Sequence, residues 1–190
     1  VGASRVPVGG LGERAGPETL PAKDFTSGLA EIIKAGVTHD LRIRELVEDS
    51  PRTHLRERIE RAIAVKAAVV GDDLTEQGGR EFLNYGHTLG HAIEKVERYS
   101  WRHGEAVSIG LVFVAELARL NGLDDAAASR HRTILQKGGL PTTYDGHWDA
   151  LHATLPRDTT PRAHRPPSAT VQGPGRHRTP TSPDAPHQHA

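Results

Sequence analysis

The chain has 190 residues, enough for one ordinary domain or one and a half small ones. Its 24 Lys and Arg balance 24 Asp and Glu, so there is no electrostatic case for nucleic acid or an anionic membrane surface as partner. It also has no apolar run of bilayer-spanning length and no signal-peptide pattern. With no Cys there are no disulfides and no thiolate ligands, so any metal must be held by His and carboxylate, and a reduced, cytoplasmic setting is compatible.

There is no Met, and the chain begins at Val1, which reads as a fragment of a longer protein. Residues 1–18, VGASRVPVGGLGERAGPE, show neither helical nor alternating periodicity and read as loop. A helical signal begins at Asp24. Leu29, Ile32 and Ile33 form an apolar stripe, and Glu31 and Lys34 stand three apart on an adjoining face. As residues alone they read as a surface ion pair worth about 0.2–0.5 kcal/mol. Residues 40–48 predict a short amphipathic helix with Leu41, Ile43, Leu46 and Val47 apolar, ended by Ser50-Pro51.

Residues 52–70 predict a longer helix whose charged first half suits a solvated face. Its second half is apolar except for Lys66, a lysine that either snorkels or points into a pocket. Residues 71–79, GDDLTEQGG, read as a turn-rich acidic loop with Asp72 and Asp73 solvated. Glu76 lies four residues before Arg80, whose planar fork suits phosphate or carboxylate.

The densest chemistry lies in residues 80–107, read as one glycine-punctuated helical segment leading to a second helix. On a helix His87 and His91 share a face, with Asn84 one turn before. Gly86 and Gly90 would each cost about 1 kcal/mol relative to Ala inside a helix, which points to close approach of another backbone or a ligand. His103 precedes an apolar helix and can turn back toward the first. Three readings stay open. The spacing of HTLGH is that of zinc proteases, but Thr88 stands where their general-base Glu should be. The histidines can also be ordinary residues of an amphipathic helix. Or they form a divalent metal site completed by a distant carboxylate, with a position open to substrate.

Residues 105–121 are apolar nearly all round and belong at the centre of a bundle. Residues 124–137 predict a further helix ended by Gly138-Gly139, and residues 148–155 another. From 156 to 190 prolines recur and Val171 is the one aliphatic residue larger than Ala, so this stretch reads as a disordered tail. Its His187 and His189 carry no functional weight. The fold class is mostly α, a helical bundle over residues 19–155.

LNYGHTLGHAIE followed by WRHGEAVSIGL at this interval strongly resembles 3-dehydroquinate synthase, and SGLAEIIKAG and VKAAVVGDD fit the same family in the same order. The resemblance implies the family's C-terminal metal- and substrate-binding domain, with the NAD-binding domain expected ahead of Val1 and absent from this chain. It implies conversion of 3-deoxy-D-arabino-heptulosonate 7-phosphate to 3-dehydroquinate in the shikimate pathway, with NAD and a divalent metal, zinc or cobalt, in a homodimeric parent. By the same resemblance Glu31, His87 and His103 are the metal ligands. Lys34, Lys66, Arg80, Asn84 and His91 bind substrate, Glu76 is an acidic residue near the site, and Thr19 matches the NAD contact surface. His91 is expected to hydrogen-bond rather than to be a fourth ligand.

The match fails between VGA and TLPAKDF, and again at RDTTPR, where a lysine segment belongs. Frame shifts over residues 4–18 and 156–190 would explain both, and the isolated fragment is expected to be inactive. Related sugar phosphate cyclases, which form valiolone-type or deoxy-inosose rings, share the metal site, though Asn84 and His91 together favour dehydroquinate synthase. A nonenzymatic helical metal-binding module is the reading from another class.

Overall fold

The computed structural model describes residues 16–50, 53–72, 80–122, 125–155, 170–171 and 177–178. Among them are seven α-helices: α1 Ala22–Thr38, α2 Leu41–Asp49, α3 Leu55–Asp72, α4 His87–Val96, α5 His103–Leu120, α6 Asp125–Lys137 and α7 Trp148–Thr154. Two 3-10 turns, Gly16–Thr19 and Arg80–Asn84, precede α1 and α4. Within 156–190 the described residues form a two-stranded antiparallel pair, β1 Thr170–Val171 with β2 His177–Arg178. The remainder of that stretch and residues 1–15 lie outside the described residues; at 16–18 and at these four strand residues the expected loop and disordered tail are replaced by a 3-10 turn and a strand pair. None of the described helices is long and apolar enough to cross a membrane.

α5 occupies the centre, as its all-round apolar sequence predicts, and packs against α1, α4 and α6. Its Val107 and Leu111 join Leu29 and Ile33 of α1, Ile43 and Val47 of α2, and Ile134 and Leu135 of α6 in the main core. Full burial of each such side chain is worth about 1.5–3 kcal/mol. A second cluster joins Leu89 and Ile93 of α4 to Ala106 and Ile109 of α5 and Leu151 of α7. Asp40 caps α2, its carboxylate accepting from the N–H groups of Arg42 (2.9 Å) and Ile43 (3.4 Å), a cap worth about 1 kcal/mol.

Two expectations are corrected. α3 runs through Gly71 to Asp72 instead of ending at Val70. The segment from 80 to 96 is not one helix: a 3-10 turn ends at Asn84 and α4 starts afresh at His87, with Gly86 between them at φ 78°. The reason is the crossing with α5. A Cβ on Gly86 would lie 2.8 Å from Leu111 N, and one on Gly110 would lie 1.9 Å from Gly86 O. Only a glycine can both adopt this left-handed conformation at low cost and let the two backbones touch.

Candidate metal centre and adjoining cavity

The crossing sets His87 at the first position of α4, beside α1. Its Nδ1 lies 3.2 Å from the carbonyl oxygen of Tyr85. A carbonyl only accepts, so Nδ1 carries the proton and Nε2 keeps its lone pair. That Nε2 faces Glu31 Oε1 at 3.5 Å. Burial, followed by the nearby Lys34 ammonium, holds the His87 pKa below its ordinary value and so keeps the ring neutral and able to ligate.

Glu31 and Lys34 do not form the exposed ion pair that their spacing alone suggested. Lys34 is 5% exposed. Its Nζ donates to Glu31 Oε1 (3.0 Å), to Glu31 Oε2 (2.8 Å) and to the carbonyl of Leu83 (2.7 Å). Burial lowers the Lys34 pKa, opposed by the charge of Glu31. Each carboxylate oxygen retains a lone pair after accepting from Lys34.

The third member arrives from α5, whose start is tied to α1. Arg102 Nε pairs with Asp24 Oδ1 at 2.7 Å, and the Gly104 N–H donates to Ser27 Oγ at 3.0 Å. Glu105 closes the turn by accepting from the Arg102 N–H at 3.1 Å. His103, between these anchors, brings its ring centroid to 5.2 Å from that of His87 and 5.9 Å from that of His91. One ligand atom from each of Glu31, His87 and His103 then falls within 4.8 Å of the others.

This donor set fits a divalent metal. Two ligands about 2.0–2.1 Å from a tetrahedral ion lie about 3.3–3.4 Å apart, close to the Glu31–His87 separation, and two imidazoles with one carboxylate suit zinc or a similar ion with a position left open. The same atoms offer no peptidase general base, because residue 88 is an exposed Thr. His103 Nδ1 also donates to Glu94 Oε1, 3.1 Å away, and His91, Glu94 and His103 make a second group of compatible ligand atoms.

A cavity of about 480 Å³ opens beside the cluster, between α1, α3 and the Arg80–Asn84 turn. Glu31, Lys34, Lys66, Asn84 and His87 line it, with Ile59, Ala62 and Phe82 as apolar wall. Lys66, itself exposed, is one of the residues at this lining. His91 is exposed and stands edge-on to His87 at 5.4 Å, but neither it nor His103 is among the described lining residues. Glu76 and the side chain of Arg80 lie outside the described residues. Thr19 does not join the site: it is exposed, donates its hydroxyl to the Gly16 carbonyl at 2.8 Å and is not among the described residues lining the cavity.

Three contributors escaped the sequence reading. The carbonyls of Leu83 and Tyr85 belong to the backbone, and no residue type announces them. Glu94 was visible in principle, standing seven residues after His87 and three after His91 on one helical face.

The 3-dehydroquinate synthase C-terminal family profile matches residues 28–160. The chain belongs to that family. It is similar to the 3-dehydroquinate synthase of Streptomyces avermitilis, 54% identical over 171 residues that cover 85% of this chain and 47% of the relative. The match to the Nocardia farcinica 3-dehydroquinate synthase is 56% over 163 residues, 82% of this chain and 43% of the relative. The chain thus spans about half the length of the curated 3-dehydroquinate synthases it matches.

Among solved structures it resembles 2-epi-5-epi-valiolone synthase from Streptomyces hygroscopicus subsp. jinggangensis with NAD+ and Zn2+ bound. There the TM-score is 0.64 and the identity 25%, over 73% of this chain and 42% of that one. It also resembles 2-deoxy-scyllo-inosose synthase complexed with carbaglucose-6-phosphate, NAD+ and Co2+, at TM-score 0.63 and 28% identity, over 72% of this chain and 40% of that one.

Proposed function

We propose that this chain supplies the metal- and substrate-binding part of a 3-dehydroquinate synthase that converts 3-deoxy-D-arabino-heptulosonate 7-phosphate to 3-dehydroquinate and phosphate. The observation that carries the reading is the convergence of Glu31, His87 and His103 at the edge of a cavity lined by two lysines. Glu31, His87 and His103 would hold zinc or cobalt. Such a metal supplies Lewis acidity to substrate hydroxyls, and NAD supplies reversible hydride transfer.

The chain's own residues bind and orient. Lys34, clamped by Glu31 and Leu83, presents a fixed ammonium at the cavity wall, and Lys66 presents a second from α3. Two cations in one cavity match a substrate that bears phosphate and carboxylate. Asn84 adds an amide donor and acceptor, and Arg80, Glu76 and His91 are assigned to substrate contacts on the family resemblance. His87, held neutral by burial, serves as a ligand and not as an acid. Holding one flexible substrate through several steps is where most of the rate arises.

The related cyclases of valiolone and inosose type are the second reading, favoured by the structural neighbours. Identity of 54% to dehydroquinate synthases against 25% and 28% to those neighbours ranks it below the first. The deciding experiment replaces the matching segment of the Streptomyces avermitilis enzyme with this chain and identifies the product by NMR. 3-Dehydroquinate with equimolar phosphate is expected. A different ring, or no phosphate release from a folded chimera, overturns the proposal. The isolated chain is expected to show no turnover with added NAD and zinc.

A further inference from the structure

We propose that Glu94 is the positioning residue of the metal centre, fixing the tautomer and orientation of His103. The inference rests on the metal reading above. His103 is 45% exposed and lacks the enclosing packing that restrains His87, so something else must hold its ring. Glu94 is the group in place to do so: its side chain is 13% exposed, and its Oε1 lies 3.1 Å from His103 Nδ1. A carboxylate at that distance accepts a hydrogen bond from Nδ1–H and so leaves Nε2 as the lone-pair atom of the ring.

The device repeats what the Tyr85 carbonyl does for His87. In both rings Nδ1 is engaged by a fixed acceptor and Nε2 is left to ligate. The backbone is bent to allow it. After α4 the chain passes through Arg98 at φ 51° and Tyr99 at φ 60°, left-handed conformations that cost non-glycine residues about 1–2 kcal/mol each. The Tyr99 N–H donates to the Glu94 carbonyl at 2.7 Å, so Glu94 anchors with its main chain the very turn that returns His103 to its side chain. Strain of this kind persists where surrounding contacts over-determine it.

The competing role for Glu94 is that of a ligand, since His91, Glu94 and His103 are also mutually within reach. The cavity argues for the positioning role. Among the described lining residues are Glu31 and His87, two members of the first group, and none of His91, Glu94 and His103, so an ion on the second group would sit away from the space a substrate can fill.

The test measures zinc and cobalt dissociation constants of the full chain by competition with a chromophoric chelator. Glu94→Ala is expected to weaken binding about 10–100-fold, Glu94→Gln to recover part of the loss by keeping an acceptor oxygen, and His91→Ala to stay within about twofold of wild type. Unchanged affinity in Glu94→Ala overturns the proposal. So does a loss in His91→Ala equal to that in Glu94→Ala while Glu31→Ala binds normally, because Glu94 would then be a ligand. If Glu31→Ala and His87→Ala both leave affinity intact, the metal reading itself falls; if they lose it and Glu94→Ala does not, only this inference falls. A measurement needing no variant runs alongside: long-range 15N–1H NMR of the metal-free chain is expected to place the His103 proton on Nδ1, and a proton on Nε2 overturns the proposal.

Discussion

Glu31 Oε2 and Lys34 Nζ lie 2.8 Å apart one turn along α1, and the same ammonium reaches the Leu83 carbonyl at 2.7 Å. The contact does more than pair two charges, because it fixes a cation next to His87. That cation is the second cause, after burial, of the depressed His87 pKa. Replacing Lys34 with Met removes the charge and keeps the burial. The His87 imidazole of the metal-free chain is therefore expected to titrate at higher pH in Lys34→Met than in wild type, followed through its Hε1 resonance. An unchanged or lower midpoint would show that the ammonium does not stand where the contact puts it.

The same depression links stability to pH. With the folded-state pKa below the ordinary value of 6.5, the unfolded chain takes up its proton first as pH falls. The contribution of His87 is therefore complete above pH 6.5 and drains away as pH drops toward and through the folded value. The urea midpoint of the metal-free chain is expected to fall more steeply below pH 6.5 than that of His87→Gln, which lacks the titrating ring. Parallel curves for the two proteins would remove His87 from the account.

Zinc should stabilise the chain by binding the folded state alone. At a free concentration one hundred times the dissociation constant the gain is about 2.7 kcal/mol, or about 5–10 °C in Tm for a domain of this size. Glu31→Ala, His87→Ala and His103→Ala are each expected to abolish that shift in differential scanning calorimetry, whereas Thr19→Ala, exposed on its own 3-10 turn, leaves it intact. A full shift in any of the three ligand variants would exclude that residue.

How much of this was legible beforehand depended on the physics of each feature. The central place of α5 followed from an apolar surface with no polar face, and the end of α6 from Gly138-Gly139, because burial and glycine conformation are written in residue types. The Glu31–Lys34 spacing was ambiguous for the opposite reason: exposure decides whether such a pair is trivial, and exposure of α1 depends on where the Arg80–Asn84 turn and α4 come to rest. Family resemblance supplied the partnership of Glu31 with His87 and His103, which local periodicity cannot express across more than fifty residues. The break at Gly86 was missed because a glycine within an apolar periodic run reads equally as a weak helical residue or as the end of one helix and the start of the next.

The glycines of that crossing separate close approach from mere flexibility. A Cβ on Gly110 would lie 1.9 Å from the Gly86 carbonyl oxygen, and one on Gly104 would lie 2.0 Å from that of Ser27, both backbone atoms that cannot rotate away. Either substitution by Ala must push α5 off its neighbour. Overpacking of this kind costs about 1–3 kcal/mol, and because Gly86 leads into His87 and Gly104 follows His103, both variants should also lose zinc binding. Gly28 provides the contrast: it lies within α1, and a Cβ there would meet nothing within 4 Å. Gly28→Ala is expected to stabilise by about 0.5–1 kcal/mol through reduced freedom of the unfolded chain, with zinc affinity unchanged. Urea unfolding of the three variants gives the comparison directly. If Gly110→Ala proved as stable as Gly28→Ala, α4 and α5 could not cross at the contact that brings His87 to Glu31.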